Sequence, residues 1–273
     1  IDLRLLDAFN LAFTIISAGG FVPANNLSSI LENNLQIFVV SISLLLPILN
    51  FFLVYDLLSR KFSIKNYQED IHLIFLISFS TIFLYFFIIP REGFASVLFT
   101  ITSSISTSGI SIYSSNLDIL LFLILLSIVG GSLISTSSGF KYTRIYILLK
   151  ISYQEIYRLV KPINIIDKNL YNSEVKIDDQ DVKIVFLVFL SFIISIFVLS
   201  SILALDYLSF EDSFKLSILT LTNTTNSASY GMANLIFLDL NQFTKISLIF
   251  FMILGKVELI AAIYLIKRFI FKE

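Results

Sequence analysis

The sequence predicts an all-α polytopic membrane protein built from repeated units. Each unit is a span, a pore half-helix, a filter turn and a second span, set with pseudo-fourfold symmetry about one pore. Three observations lead there. Of the 273 residues, 56% are hydrophobic and only 14% charged, where a soluble domain carries about a quarter, and mean hydropathy is +0.89. A short hydroxyl-rich stretch recurs three times between segments too apolar for water. The basic residues are sorted by loop rather than spread or gathered into a patch.

The repeat is the most informative of the three. Its copies run from Phe13 to Phe21, from Phe99 to Ser111 and from Leu219 to Asn226. Anchored on Gly20, Gly109 and Thr225, they align without gaps. Thirteen positions earlier stand Asp7, Ser96 and Asp212, residue types suited to capping a helix N-terminus. Three positions earlier stand the hydroxyls Ser17, Ser106 and Thr222, and four earlier the apolar Ile16, Ile105 and Leu221. Cap to hydroxyl leaves room for a helix of about ten residues, roughly half of a 30 Å hydrocarbon core at 1.5 Å per residue. One copy alone reads as a polar loop at a helix end. Three in register read as re-entrant half-helices, whose irregular turns survive at that depth only inside protein or along a wet cavity.

The units follow in order. Residues 1–58 hold the first copy, the polar connection Asn25–Asn34 and a span from Leu35 to Leu58, in which Pro47 predicts a kink. Residues 59–150 begin with a basic loop at Arg60, Lys61 and Lys65, followed by a span from Ile71 to Ile89 that closes at Pro90. His72, the sole histidine, fits an interfacial structural role. After the second copy a span from Leu117 is interrupted by Gly130 to Gly139, a run of three glycines and five hydroxyls that includes Gly131, Ser135, Thr136, Ser137 and Ser138. So long an interruption predicts a broken helix facing a pathway rather than a mere close-packing site. Residues 151–182 form a polar connection, with an amphipathic Tyr153–Val160 and a cluster of Asp178, Asp179 and Asp181. Residues 183–273 hold a span from Lys183 to Leu205, the third copy, and a last span from about Phe243 to Phe271. The chain begins with Ile1 and a half-helix, so a preceding unit is expected to complete a ring of four.

Loops 59–70 and 141–183 and the tail after Leu265 carry fourteen of the nineteen Lys and Arg residues. They mark the cytoplasmic side, and the acidic Asp206, Glu211, Asp212 and Asp239 lie opposite. The half-helices thus enter from outside and aim their partly negative carboxyl ends at the membrane centre, where a cation gains from them. Zero cysteines exclude thiol chemistry and disulfides, a net charge of −1 argues against nucleic-acid binding, and an ionisable constellation for an intramembrane enzyme is missing. An inverted repeat, the mark of a sodium-coupled solute symporter, is not what these same-sense copies give. A purely structural membrane subunit has no need of matched half-helices.

Ser17-Ala18-Gly19-Gly20-Phe21, Ser106-Thr107-Ser108-Gly109-Ile110 and Thr222-Asn223-Thr224-Thr225 resemble the second, third and fourth filter turns of the TrkH/TrkG potassium-uptake family. Gly130-Gly131 through Lys141, with Arg144, resembles that family's intramembrane gating segment. Glu155 to Pro162 and Met252 to Glu258 resemble two further motifs, with Lys256 standing where the family has arginine. The resemblance implies potassium uptake, with potassium or sodium as the transported ion, through backbone carbonyls of the twelve turn residues. It also implies gating by the 130–144 segment and Lys256, a homodimer with one pore per protomer in a bacterial inner membrane, and a cytosolic nucleotide-binding regulator of the TrkA type. The sodium-dependent KtrB type is the nearest alternative. Thr225 departs from the family's glycine and predicts weaker discrimination of potassium from sodium. Lys256, a cation within a span, is expected to line the pathway below the filter as an electrostatic barrier. Glu258, two residues on, lies on another helix face.

Overall fold

The structure is a computed structural model, and it describes residues 3–22, 27–59, 63, 66–88, 93–112, 119–160, 169–171, 176–206, 208–224, 230–232, 237–257 and 268. Among the described residues ten α-helices follow one another: α1 (Leu5–Ser17), α2 (Asn34–Ser43), α3 (Phe51–Leu58), α4 (Gln68–Phe83), α5 (Phe94–Ile105), α6 (Leu120–Val129), α7 (Tyr142–Val160), α8 (Asp179–Ala204), α9 (Phe210–Leu221) and α10 (Gln242–Val257). Among the described residues there is no strand beyond one bridge between Asn169 and Lys176.

Among the described residues two helical runs are long and apolar enough to cross a bilayer, Gln68–Phe87 and Asp179–Ala204. The first is α4 continued by a wider π turn, Leu84–Ile88. The short apolar helices fall into two kinds. α1, α5 and α9, of 13, 12 and 12 residues, are the three half-helices. α2 with α3, and α6 with α7, are spans broken in the middle. Pro47 breaks the first more widely than a kink, since regular helix stops at Ser43 and resumes at Phe51. α7 continues through the amphipathic Tyr153–Val160, which sequence placed in a polar connection, so span and membrane-surface segment form a single helix.

The half-helices start three residues earlier than their sequence caps indicated. Arg4, Gly93 and Ser209 are the N-caps, which puts Asp7, Ser96 and Asp212 in the first turn instead. A carboxylate there serves the exposed N–H groups and the positive end of the helix dipole as well as one at the cap does. In α9, Ser209 Oγ accepts from the Asp212 N–H at 3.1 Å and donates to the Asp212 carboxylate at 2.7 Å.

Packing repeats with the sequence. α5 lies against α4, α6 and α2; α9 lies against α8, α10 and α6. Each of these two half-helices is thus held by the span before it, the span after it and the closing span of the preceding unit. Polarity runs inside out: Phe75, Phe79, Phe86, Phe87 and Leu121 are among many large apolar side chains facing outward, while Thr102, Ser103, Ser106, Thr107, Ser108, Ser138, Thr220, Thr222 and Thr224 are buried. Hydrocarbon outside and hydroxyls inside suit a lipid solvent and a polar interior.

His72 packs among neighbours at the start of α4. Its Nδ1 lies 2.7 Å from the Gln68 carbonyl, and its ring packs against Tyr171 and Tyr146. Arg60, Lys61, Lys65, Pro90, Pro162, Thr225, Glu258 and most of the last span lie outside the described residues.

Candidate ion filter and the loop beneath it

The three half-helices end in the same way. Ala18, Thr107 and Asn223 each turn left-handed, at φ 47°, 54° and 57°. The N–H of each donates to the carbonyl three residues back (Ile15, Ser104, Thr220) at 3.1 Å. The next N–H reaches five back, from Gly19 to Thr14 at 3.1 Å, from Ser108 to Ser103 at 3.3 Å and from Thr224 to Leu219 at 2.8 Å. This paired closure satisfies the last carbonyls of a helix, and glycine is its usual left-handed residue. Here it is made three times without one.

The hydroxyls at the preceding register position support the same closure. Ser17 Oγ donates to the Thr14 carbonyl at 3.4 Å, Ser106 Oγ to Ser103 at 3.0 Å, and Thr222 Oγ1 to Leu219 at 3.3 Å and Ile218 at 3.1 Å. Ser106 and Thr222 also bond the hydroxyls of Ser108 and Thr224. These side chains brace the turn from within.

Gly20 and Gly109 are left-handed as well, at φ 74° and 67°. In the first two turns the φ sign therefore alternates over three residues, an arrangement that turns successive peptide units to one side. The turns also meet. A Cβ on Gly20 would fall 2.5 Å from the Ser108 carbonyl oxygen, and one on Gly109 would fall 3.1 Å from Thr224 Cα. Turn one abuts turn two, and turn two abuts turn three. Thr225 itself lies outside the described residues.

Directly against these turns lies the interruption between α6 and α7. It closes on itself where the Phe140 N–H donates to the Ile128 carbonyl at 2.8 Å, with Gly130, Gly139 and Lys141 at positive φ. It touches all three turns. Thr136 Oγ1 donates to the Ile16 carbonyl at 2.9 Å, the Ser138 N–H donates to Thr107 Oγ1 at 2.7 Å, and the Asn223 amide donates to Ser138 Oγ at 3.1 Å and the Met252 carbonyl at 3.1 Å. Lys256 ties turn to loop, its ammonium donating to the Ser17 carbonyl at 3.0 Å and the Thr136 carbonyl at 2.7 Å.

The loop is also fastened from within and from behind. The buried Lys141 ammonium donates to the Ser135 carbonyl at 3.1 Å, to its hydroxyl at 3.0 Å and to the Ser137 carbonyl at 2.6 Å, and Ser137 Oγ accepts from the Gly131 N–H at 2.9 Å. Behind it stands the break at Pro47, whose freed carbonyls accept loop amides: Pro47 from Ser137 at 3.1 Å and Ile48 from Ser132 at 2.8 Å. Arg144, in the first turn of α7, lines a cavity of about 20 Å³ with Lys141 and Lys256, about room for one water.

Two carboxylates that hold the loop and the span break in place were missed from sequence. Glu69 accepts from the loop's Leu133 N–H at 2.9 Å, and Asp70 from the Asn50 N–H at 2.8 Å. Adjacent carboxylates opening an apolar span were the available signal, because ionisable groups at such positions need dedicated partners. No group of His, Cys, Asp and Glu fit to hold a metal occurs among the described residues.

No family model matches the sequence. The chain is 29% identical to the Trk system potassium uptake protein TrkG of Escherichia coli, over 99% of this chain and 57% of that protein. It is 28% identical to an uncharacterised cation transporter of Methanocaldococcus jannaschii, over 99% and 55%. In structure it matches the potassium transporter TrkH of Vibrio parahaemolyticus with a TM-score of 0.84 at 22% identity, covering 97% of this chain and 58% of that one. The chain thus spans little more than half the length of the relatives it matches, and over that span it has the TrkH fold.

Proposed function

We propose that this chain, of the TrkH/TrkG type in fold and sequence, carries monovalent cations across a membrane, most specifically potassium inward, and is not an enzyme. One observation carries the reading: three half-helices end in one repeated left-handed closure, and their turns abut one another. Residues 17–20, 106–109 and 222–225 then supply three sides of a filter of main-chain oxygens that replace the hydration of potassium. A fourth side comes from a further unit outside this sequence, in pseudo-fourfold symmetry with residues 1–58, 59–150 and 183–273.

The helix ends add negative potential at the turns. Braced hydroxyls keep the oxygens where the backbone puts them, so the ring need not reorganise as each ion arrives. The segment from Gly130 to Lys141 acts as the gate; its hydrogen bonds to Ile16, Thr107 and Asn223, one at each half-helix end, support that reading. Lys256 holds it shut and repels cations below the filter.

In the full protein this unit sits in a bacterial inner membrane as a homodimer, and a cytosolic nucleotide-binding subunit of the TrkA type pulls on the inner helix ends. The test is uptake of radioactive rubidium into vesicles containing the full-length protein, with and without competing sodium or a pH gradient. Saturable uptake resisting sodium is expected. No uptake above empty vesicles refutes the reading, and uptake that requires sodium assigns the KtrB-type alternative.

A further inference from the structure

Residues 169–171 belong to the polar connection between α7 and α8, yet Tyr171 is buried and held at φ 53°. A bulky residue in the left-handed region is an outlier, and strain of this kind persists only where surrounding contacts over-determine it. The contacts here come from two helices. The Tyr171 ring stacks on Tyr146 and Tyr142 of α7, at centroid distances of 4.3 and 6.4 Å, and packs on His72 of α4 at 5.0 Å. Two residues back, the Asn169 carbonyl accepts from the Lys150 ammonium of α7.

The hydroxyl leads further in. Tyr171 Oη lies 3.0 Å from Thr143 Oγ1, and both residues are buried. Thr143 is in the first turn of α7, where N–H groups lack helical partners. Its N–H and its hydroxyl both go to the Glu69 carboxylate, which also accepts from the loop's Leu133 N–H at 2.9 Å. A carboxylate only accepts, so the Thr143 proton points at Glu69 and the Tyr171 O–H donates to Thr143. A directed chain results, from Tyr171 through Thr143 to Glu69, and bonds in such a chain polarise one another. Its far end grips the loop at Leu133, inside it, and at Thr143, where α7 leaves it.

Resting on the reading of the 130–141 segment as gate, we propose that Tyr171 is the positioning residue through which the cytoplasmic connection keeps the gate seated. With the ring stacked and the hydroxyl in place, Glu69 is aimed at Leu133. A pull on the connection from the cytoplasm draws Tyr171 from between its neighbours, Glu69 loses its orientation, and the loop leaves. The filter turns take no part, so the open pathway keeps its preference for potassium.

The experiment uses the full-length protein in proteoliposomes with three readouts: initial rubidium uptake, the rubidium-to-sodium uptake ratio, and labelling of the loop by a water-soluble maleimide. Ser132 is fully buried and its hydroxyl has no hydrogen-bond partner, so Ser132→Cys supplies a cysteine that reacts only once the loop moves. On that background Tyr171→Phe keeps the ring and removes the hydroxyl. Uptake and labelling rate both rise about fivefold, as loss of one hydrogen bond implies, and the uptake ratio stays as it was. Tyr171→Ala, which also loses the stacking, raises both further. Thr143→Val raises them at least as much as Tyr171→Phe does, and Tyr171→Phe adds nothing on top of it, since the bond is already gone.

Labelling that fails to rise in the phenylalanine form overturns the relay and leaves the gate and transport readings standing. Faster labelling with unchanged rubidium uptake means that the relay holds a segment other than the gate, and it overturns the gate reading together with the proposal. A rise accompanied by a lower ratio overturns the relay, because the effect then lies in the filter, and so does a further rise on the Thr143→Val background. Absence of rubidium uptake in the unmodified protein removes the transport reading, and the relay with it. If the phenylalanine form does not fold, Thr143→Val against Thr143→Ser, which keeps the hydroxyl, decides on the same readouts: equal uptake and labelling in the two overturns the proposal.

Discussion

Replacing Lys256 with alanine removes both the contact that fastens the loop to the first turn and the fixed charge beside it. The ammonium lies 3.0 Å from the Ser17 carbonyl oxygen, so an ion held by that oxygen at a similar distance sits no more than about 6 Å from the lysine. Lys256 is solvent-exposed, which makes an effective dielectric of about 20 suitable, and the repulsion is then about 3 kcal/mol. Charge-assisted hydrogen bonds contribute about 1.5–3 kcal/mol when buried, and exposure puts the pair here near the low end. Releasing the loop alone therefore gives roughly a tenfold gain in conducting protein, and relieving the repulsion as well raises the upper bound to about a thousandfold. Initial rubidium uptake per folded protein should rise within that range for Lys256→Ala and stay low for Lys256→Arg, which keeps the charge. Unchanged or slower uptake by an alanine variant that elutes as folded protein would refute the assignment of Lys256 as latch and barrier.

Three further outcomes follow from the same geometry. Thr225 occupies the register of Gly20 and Gly109, so Thr225→Gly should raise the potassium-to-sodium permeability ratio several-fold, and an unaltered ratio in tracer flux removes the idea that this residue weakens selectivity. Deleting three or four residues between Gly131 and Ser137 should produce constitutive rubidium leak without the regulatory subunit; wild-type basal uptake in the deletion would count against the loop as gate. Gly20→Ala forces a Cβ to within 2.5 Å of the Ser108 carbonyl oxygen at a φ alanine disfavours by about 1–2 kcal/mol. The variant should lose most potassium-dependent thermal stabilisation, and a melting shift equal to that of the wild type would show that these two turns do not share an ion.

The register of the repeat carried most of what could be read in advance. Aligning Gly20 with Gly109 located two left-handed residues and placed Ser17, Ser106 and Thr222 at equivalent helix ends, because local backbone chemistry requires particular residue types there. Ala18, Thr107 and Asn223 gave no such signal. Their left-handed state is imposed by the closure of the helix and, at Thr107, by a partner 31 residues along the chain. Helix starts were misjudged for a related reason: Asp7 and Asp212 suit the cap and the first turn equally well. Pro47 announced a kink but neither the full break nor its partner, and nothing local to Glu69 or Asp70 indicates which distant amide each receives. Long-range pairings of this sort belong to the tertiary structure, whereas capping, turning and amphipathic pattern belong to the sequence.

The pairing of the two interrupted spans has a consequence for how the protein is made. Oxygens bared at Pro47 and Ile48 are satisfied by amides of Ser137 and Ser132, which leave the ribosome more than eighty residues later. At synthesis rates of roughly 5–20 residues per second that is an interval of about 4–17 s, during which uncovered carbonyls within hydrocarbon would each cost several kcal/mol. The earlier helix must therefore wait in a wet or chaperoned setting and settle into the bilayer together with the later one. Assembly of this half of the molecule is thereby tied to the emergence of the loop that interrupts its later span.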